Sequence, residues 1–172
     1  MLSPVVIIRH IKERHNKCSL QPLRWREGFT FHKATDELTF DATGFILLAM
    51  NSPVIEPGDA ILSESEADEL SARHPDLGIT TTRPILLPDA TWSLLPQVMR
   101  CVKGKPLLRS LPAGIKTAYP RVSKMTDDPQ GGLASVEALY LALKLMGQDY
   151  PTLLDDYYWK DAFLDLLKES GM

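Results

Sequence analysis

An apolar run from Pro84 to Leu87 stops at Pro88-Asp89-Ala90-Thr91-Trp92. The run has the size of a buried strand. An acid, a hydroxyl and an indole just beyond it stand where α/β proteins present chemistry, at the carboxyl edge of a sheet. Val5-Val6-Ile7-Ile8 reads as a second short buried strand, with Arg9-His10 leaving it at the same kind of edge. Phe29-Thr30-Phe31-His32 alternates apolar and polar, as a half-exposed strand does. Phe45 to Met50 is a further buried strand, closed by Asn51-Ser52-Pro53, and Ala60-Ile61-Leu62 and Pro106-Leu107-Leu108 are short ones.

Helical patterns separate these runs. Ile11 to Leu23 reads as a loop with a short helix limited by Pro22. Ser63 with Glu66 makes a capping box for a helix through Arg73, ended by Pro75 and Gly78. A helix over Ser93 to Val102 follows the Asp89 segment. Ser135 to Met146 is the clearest helix, with Leu139, Leu143 and Met146 on one face and Gly147 as its stop. A last amphipathic helix spans Leu153 to Leu167, with Tyr157, Phe163 and Leu167 apolar, and Met125 to Gly132 reads as a loop. Strands alternating with helices predict an α/β fold with a mainly parallel sheet flanked by helices.

The 172 residues suit one domain, residues 1–172, with room for a real core. No apolar stretch approaches the length of a membrane span, and Met1-Leu2-Ser3-Pro4 lacks a signal-peptide pattern. Cys18 and Cys101 form no metal-like cluster. These features predict a cytoplasmic protein with reduced thiols, no metal and no membrane partner. The formal net charge of -3 argues against nucleic acid, but its distribution argues for it. From Arg100 to Lys124 the charges are Arg100, Lys103, Lys105, Arg109, Lys116, Arg121 and Lys124, with no acid among them. Arg9, Lys12, Arg14, Lys17, Arg24 and Arg26 cluster near the N-terminus against Glu13 and Glu27. A basic surface able to track phosphates is one reading, and scattered solvated charges the other.

Four constellations could carry chemistry. Asp89 could act as a general base or orient a substrate N–H, with Thr91 binding a ligand and Trp92 forming an aromatic wall; alternatively Asp89 or Thr91 caps the next helix and Trp92 packs in the core. Gly131-Gly132 before Leu133-Ala134-Ser135-Val136-Glu137 lets backbone approach a ligand at a helix start, with Ser135 as a cap. Glu137 stands two residues after Ser135, outside the capping-box spacing, and favours the helix dipole. In Arg9-His10-Ile11-Lys12-Glu13 the spacing could place His10 and Glu13 over one site, without the further ligands a zinc set needs, or the segment is a solvated turn. Tyr119 between Lys116 and Arg121 could stack a base and hold phosphates, or belong to an ordinary surface loop.

In order, these segments resemble the DTW-domain proteins, which include tRNA-uridine aminocarboxypropyltransferases and are related to ribosomal-RNA aminocarboxypropyltransferases. His10 and Glu13 match the family's His-x-x-Glu, and Cys18-Ser19 lies near its polar pair. Ile61 to Leu70 matches a strand with an acidic helix start. Asp89, Thr91 and Trp92 match the Asp-x-Thr-Trp that gives the family its name, and Leu133 to Ala138 matches its closing helix start. The sequence departs from the family at Ala90, where glycine is usual, and at Pro120, in a stretch usually rich in arginine. The N-terminal cysteine cluster of many members, similar to a zinc ribbon, has no counterpart here.

The resemblance implies a SPOUT-like fold with a C-terminal trefoil knot and S-adenosylmethionine as a substrate. It implies transfer of the 3-amino-3-carboxypropyl group to N3 of a tRNA uridine, releasing methylthioadenosine, by a monomer or homodimer. Asp89, Thr91 and Trp92 would be catalytic, and Pro88, Gly132, Leu133, Ser135 and Glu137 would hold the cofactor. His10, Arg100, Lys103, Lys105, Lys116, Tyr119 and Arg121 would hold RNA. The alternatives are an RNA methyltransferase of SPOUT type and a non-catalytic RNA-binding module.

Overall fold

The computed structural model describes residues 1–14, 18–120 and 132–172. Arg121, Gly131 and most of the 125–132 loop lie outside the described residues. The main sheet contains β1 (Val5–His10), β2 (Phe29–Ala34), β4 (Ile46–Leu48), β5 (Ile85–Asp89) and β7 (Leu107–Arg109) in the order β2-β1-β5-β4-β7. Every pairing in it is parallel, as predicted. Two-residue strands, β3 (Phe40–Asp41) and β6 (Val102–Lys103), pair in a separate small sheet.

Period-two alternation distributes the strand residues between two cores. Val5, Ile7, Ile46, Ile85 and Leu87 pack on one face, under α3 (Ser135–Leu145) and α4 (Lys160–Glu169). Val6, Ile8, Leu47 and Leu86 pack on the other, with Leu70 of α1 (Glu64–Arg73) and Val98 of α2 (Leu95–Met99). Covered on both faces, β1 and β5 need the continuous apolar runs that mark them in the sequence.

α3 is set by its two ends. At its C-terminus Gly147 adopts a positive φ of 74°, which glycine permits without a steric cost. The amide of Gly147 then donates to Lys144 O (3.0 Å) and that of Gln148 to Leu143 O (2.9 Å), a Schellman closure. The Gln148 side chain accepts from Ser3 N and donates to Ser3 Oγ, both at 2.8 Å, fastening this end beside the start of β1. Ser135, at the other end, lies at Asp89. α3 therefore runs back across the sheet and delivers its N-terminus to the carboxyl edge.

Four expected elements differ. The helix over 93–102 is cut to α2, because the chain turns at Arg100 and Phe40 N donates to Cys101 O at 2.7 Å, starting the small sheet. Ala60 to Leu62 is no strand of the main sheet. Pro57–Ala60 forms a 3-10 turn, and Leu62 N and Ala60 O pair with Thr81 and Arg83 instead. The last helix begins at Lys160 rather than Leu153, after turns over Leu153 to Tyr157. Ser135 is the first helical residue of α3 and not its cap; Ala134 holds the cap position.

The expected capping box at α1 is present. Ser63 N donates to Glu66 Oε2 (2.8 Å), and Glu66 N donates to Ser63 Oγ (3.2 Å). The Ser63 amide and then Arg83 hold the Glu66 carboxyl down at about 2, from an ordinary 4.5. A depressed carboxylate contributes stability that is complete above its unfolded value and lost as pH falls through its folded one. Glu66→Gln should therefore lower the melting temperature at about pH 6, and the two proteins should converge as pH falls toward about 2. Thermal denaturation across that window checks this.

Candidate functional site at the carboxyl edge of β1 and β5

β1 continues to β2 on one side, while the chain after β5 continues to β7 on the other, so the crevice between β1 and β5 is a topological switch point. Ligands of open α/β sheets bind outside the carboxyl ends of strands at such points. Arg9 and Asp89 are register partners there. Alternation from Ile7 and Leu87 turns both side chains toward the α3 face.

Both are buried, at 4% and 5% exposure. Arg9 Nε donates to Asp89 Oδ2 at 3.1 Å. A buried ion pair offsets its desolvation only when its remaining polar atoms are satisfied. Here Arg9 Nη1 donates to Gln21 Oε1 (2.7 Å) and Nη2 to Cys18 Sγ (3.1 Å), while the Phe31 ring lies 5.0 Å from the guanidinium carbon. Cys18 Sγ donates in turn to Asp89 Oδ2 at 2.9 Å. The second oxygen, Oδ1, accepts from Ser135 Oγ at a longer 3.3 Å. Asp89 is thus held firmly by one oxygen and loosely by the other. It caps no helix: α2 begins at Leu95 without a side-chain cap, and its turn is closed by the Thr91 carbonyl.

Burial, followed by the Asp89 charge and hydrogen bond, pushes the Cys18 thiol up to about 12, so it stays a protonated donor. Burial, followed by the Asp89 charge, also raises the half-buried Glu13 carboxyl, against opposing effects of Arg9 and His10. Glu13 therefore belongs to the electrostatic surroundings of Asp89.

Several expected residues take other positions. His10 alternates to the opposite face and is buried. Its Nδ1 accepts from Lys12 N (3.0 Å), which leaves the proton on Nε2, facing Gln97 Oε1 at 2.7 Å. His10 thereby joins β1 to α2. Glu137 is fully buried and accepts from Thr117 Oγ1 (2.5 Å), Ala118 N (2.9 Å) and Ala134 N (2.8 Å). With both oxygens engaged, it ties the 117–118 segment to the start of α3 in place of an open contact to a cofactor. Val136 N donates to Ser19 Oγ at 3.2 Å, so this helix-start amide is also engaged. Gly132, Leu133 and Ser135 remain half-exposed at the α3 start; Pro88 and Trp92, next to Asp89 in sequence, are also half-exposed, and Thr91 is exposed.

The basic run is divided. Lys116 is exposed and Tyr119 half-buried beside the residues bound to Glu137. Lys105 precedes β7 and Lys103 lies in the small sheet, so neither stands at the edge that carries Asp89. Arg100 is exposed at the end of α2. Arg109 is occupied by Asp59 through two contacts of 2.8 Å. Arg9, Cys18 and Gln21 were not singled out for the site. The only sequence signal for Arg9 is its place at a strand exit, parallel to that of Asp89. Among the described residues, no group of three His, Cys, Asp or Glu could hold a metal ion, and no helix is long and apolar enough to cross a membrane.

Neither a protein-family model nor a curated protein matches the chain. Among solved structures, the SAM-dependent rRNA:acp-transferase Tsr3 from Vulcanisaeta distributa is similar, with a TM-score of 0.66 and 22% identity. The match covers 99% of this chain and 81% of Tsr3. At that identity the shared property is the fold.

Removing one partner of a buried ion pair leaves an uncompensated charge. Arg9→Leu should cost about 3–5 kcal/mol in urea unfolding, while Arg9→Leu with Asp89→Leu should recover much of that loss. Cys18 should resist iodoacetamide at about pH 8 in the folded protein and react on unfolding, as peptide mass mapping would show.

Proposed function

We propose that this protein transfers the 3-amino-3-carboxypropyl group of S-adenosylmethionine to N3 of a uridine in RNA, releasing methylthioadenosine. The observation that carries this reading is Asp89, clamped through one oxygen and presenting the other at a switch point, beside a half-exposed helix start. The fold shared with Tsr3 supports it, and the SPOUT-like assignment and C-terminal knot belong to the same proposal, on the resemblance of the sequence to the DTW-domain proteins. The resemblance of the sequence favours tRNA as acceptor. The substrate named for Tsr3 is rRNA, which makes rRNA the second acceptor to test.

S-adenosylmethionine supplies an electrophilic carbon beside a sulfonium that leaves readily. The remaining requirements are orientation of the two reactants and removal of the N3 proton. Asp89 Oδ1 accepts the N3–H and aligns the base, while Arg9 and Cys18 prevent the carboxylate from rotating away. Ser135, Gly132, Leu133 and Pro88 border the space for the cosubstrate. Trp92 walls the site, Thr91 offers its hydroxyl, and Lys116 and Tyr119 stand at the RNA side. Glu137 shapes this region by holding residues 117–118 against α3.

The test uses S-adenosylmethionine labelled on either the methyl or the carboxyl carbon, with unmodified tRNA and rRNA as separate acceptors. Carboxyl label alone in the RNA is the expected result. Methyl label would identify a methyltransferase, and no label in either RNA would favour a binding module. Asp89→Asn should lower kcat by about a hundredfold or more, the contribution of a positioned proton acceptor, with cosubstrate affinity in calorimetry little changed. Unchanged turnover would remove Asp89 from the chemistry.

A further inference from the structure

Trp25 is 86% exposed, and it is the most exposed aromatic side chain among the described residues. It is not a loose appendage. The preceding 3-10 turn, Gln21–Leu23, is anchored by buried Leu23 and by Gln21 Oε1, which accepts from Arg9 at 2.7 Å. On its other side Arg26 donates to Thr152 O (2.7 Å) and to Asp156 Oδ2 (2.8 Å). The Arg24 guanidinium carbon lies 5.4 Å from the Trp25 ring centre and 5.8 Å from that of Phe31. Phe31 carries Arg9 on its ring at 5.0 Å. Trp25, Arg24, Phe31 and Arg9 therefore form a continuous row of rings and guanidinium groups from the surface to Asp89.

We propose that Trp25, backed by Arg24, is a stacking platform for a nucleobase flanking the nucleotide that reacts at Asp89. The proposal rests on the RNA-modifying reading above and assigns that site a second, separate RNA contact. Its chemistry selects the occupant. In sequence Trp25 is flanked by Arg24 and Arg26, and it is the only exposed large apolar residue between positions 20 and 30. Isolated aromatics among cations suit single-stranded nucleic acid, whose bases stack on the ring while the phosphates meet the charges. Lys12 and Arg14, on the segment leaving β1, are exposed as well, with half-buried Glu13 between them. The row ties the platform to the same site: a base seated on Trp25 adds binding energy for an RNA whose neighbouring nucleotide reaches Asp89, which is read in KM.

The test compares wild type with Trp25→Ala and Trp25→Tyr, using fluorescence anisotropy of an unstructured oligouridine and label transfer into tRNA and rRNA. Trp25→Ala should weaken oligouridine binding and raise the KM for RNA by about five- to a hundredfold, the range for loss of one base–aromatic stack. Trp25→Tyr should restore most of the affinity. Calorimetric affinity for S-adenosylmethionine and kcat at saturating RNA should stay within about twofold of wild type in both variants. If wild type labels RNA but Trp25→Ala leaves KM and oligouridine affinity unchanged, the platform is overturned and the transferase reading stands. If wild type labels neither RNA but Trp25→Ala still loses oligouridine, the platform stands and the transferase reading falls. Equal oligouridine binding by all three proteins overturns the platform, including where Trp25 serves a protein partner instead.

Discussion

The ion pair between Arg9 and Asp89 joins the exits of the two central strands, and the site is organised around it. Either charge buried at this edge without the other would be uncompensated. Together they need further donors and acceptors, and these come from Gln21 and Cys18, on the connection between β1 and β2, and from Ser135 at the start of α3. Three segments far apart in sequence are therefore drawn to one point by the cost of leaving a polar atom unsatisfied in the interior.

The frame behind the pair explains its direction. A parallel sheet brings all its strand exits to one edge, and alternation turns residues two apart to the same face. Ile7 and Leu87 pack in the core beneath α3, so Arg9 and Asp89 face α3 as well. α3 is fixed at its far end by Gln148 against Ser3 and at its near end by buried Glu137. Its first-turn hydroxyl, Ser135, is released from capping and meets Asp89. The geometry leaves one oxygen of a buried carboxylate weakly engaged beside the half-exposed Ser135, a geometry that suits an acceptor for a substrate N–H.

Legibility in the sequence followed the range of the forces. The apolar runs of β1 and β5, the Ser63–Glu66 capping box and the Gly147 stop are local patterns, and each was placed correctly. Elements whose existence depends on distant partners were misjudged. β6 replaces the end of the expected helix over 93–102 because Phe40 offers a backbone partner, and Ala60 to Leu62 joins the segment of Thr81 to Arg83 rather than the main sheet. At the site, Asp89 and Ser135 stood out because polar residues follow apolar runs or start helices. Glu137 also stood out, but its acid is turned inward, and no spacing rule distinguishes an inward acid from an outward one.

From composition and periodicity alone came the α/β class, the parallel sheet and the presence of an acid at a strand exit, since each depends on residues within a few positions of one another. Tertiary structure decided which groups surround that acid. Arg9 pairs with it across the sheet, Cys18 is held as a neutral thiol against it, His10 is spent on α2, and the basic run is parted between two edges. These outcomes depend on register and on which face each side chain meets. A single-residue shift in either strand would turn Arg9 or Asp89 to the opposite face and dissolve the pair.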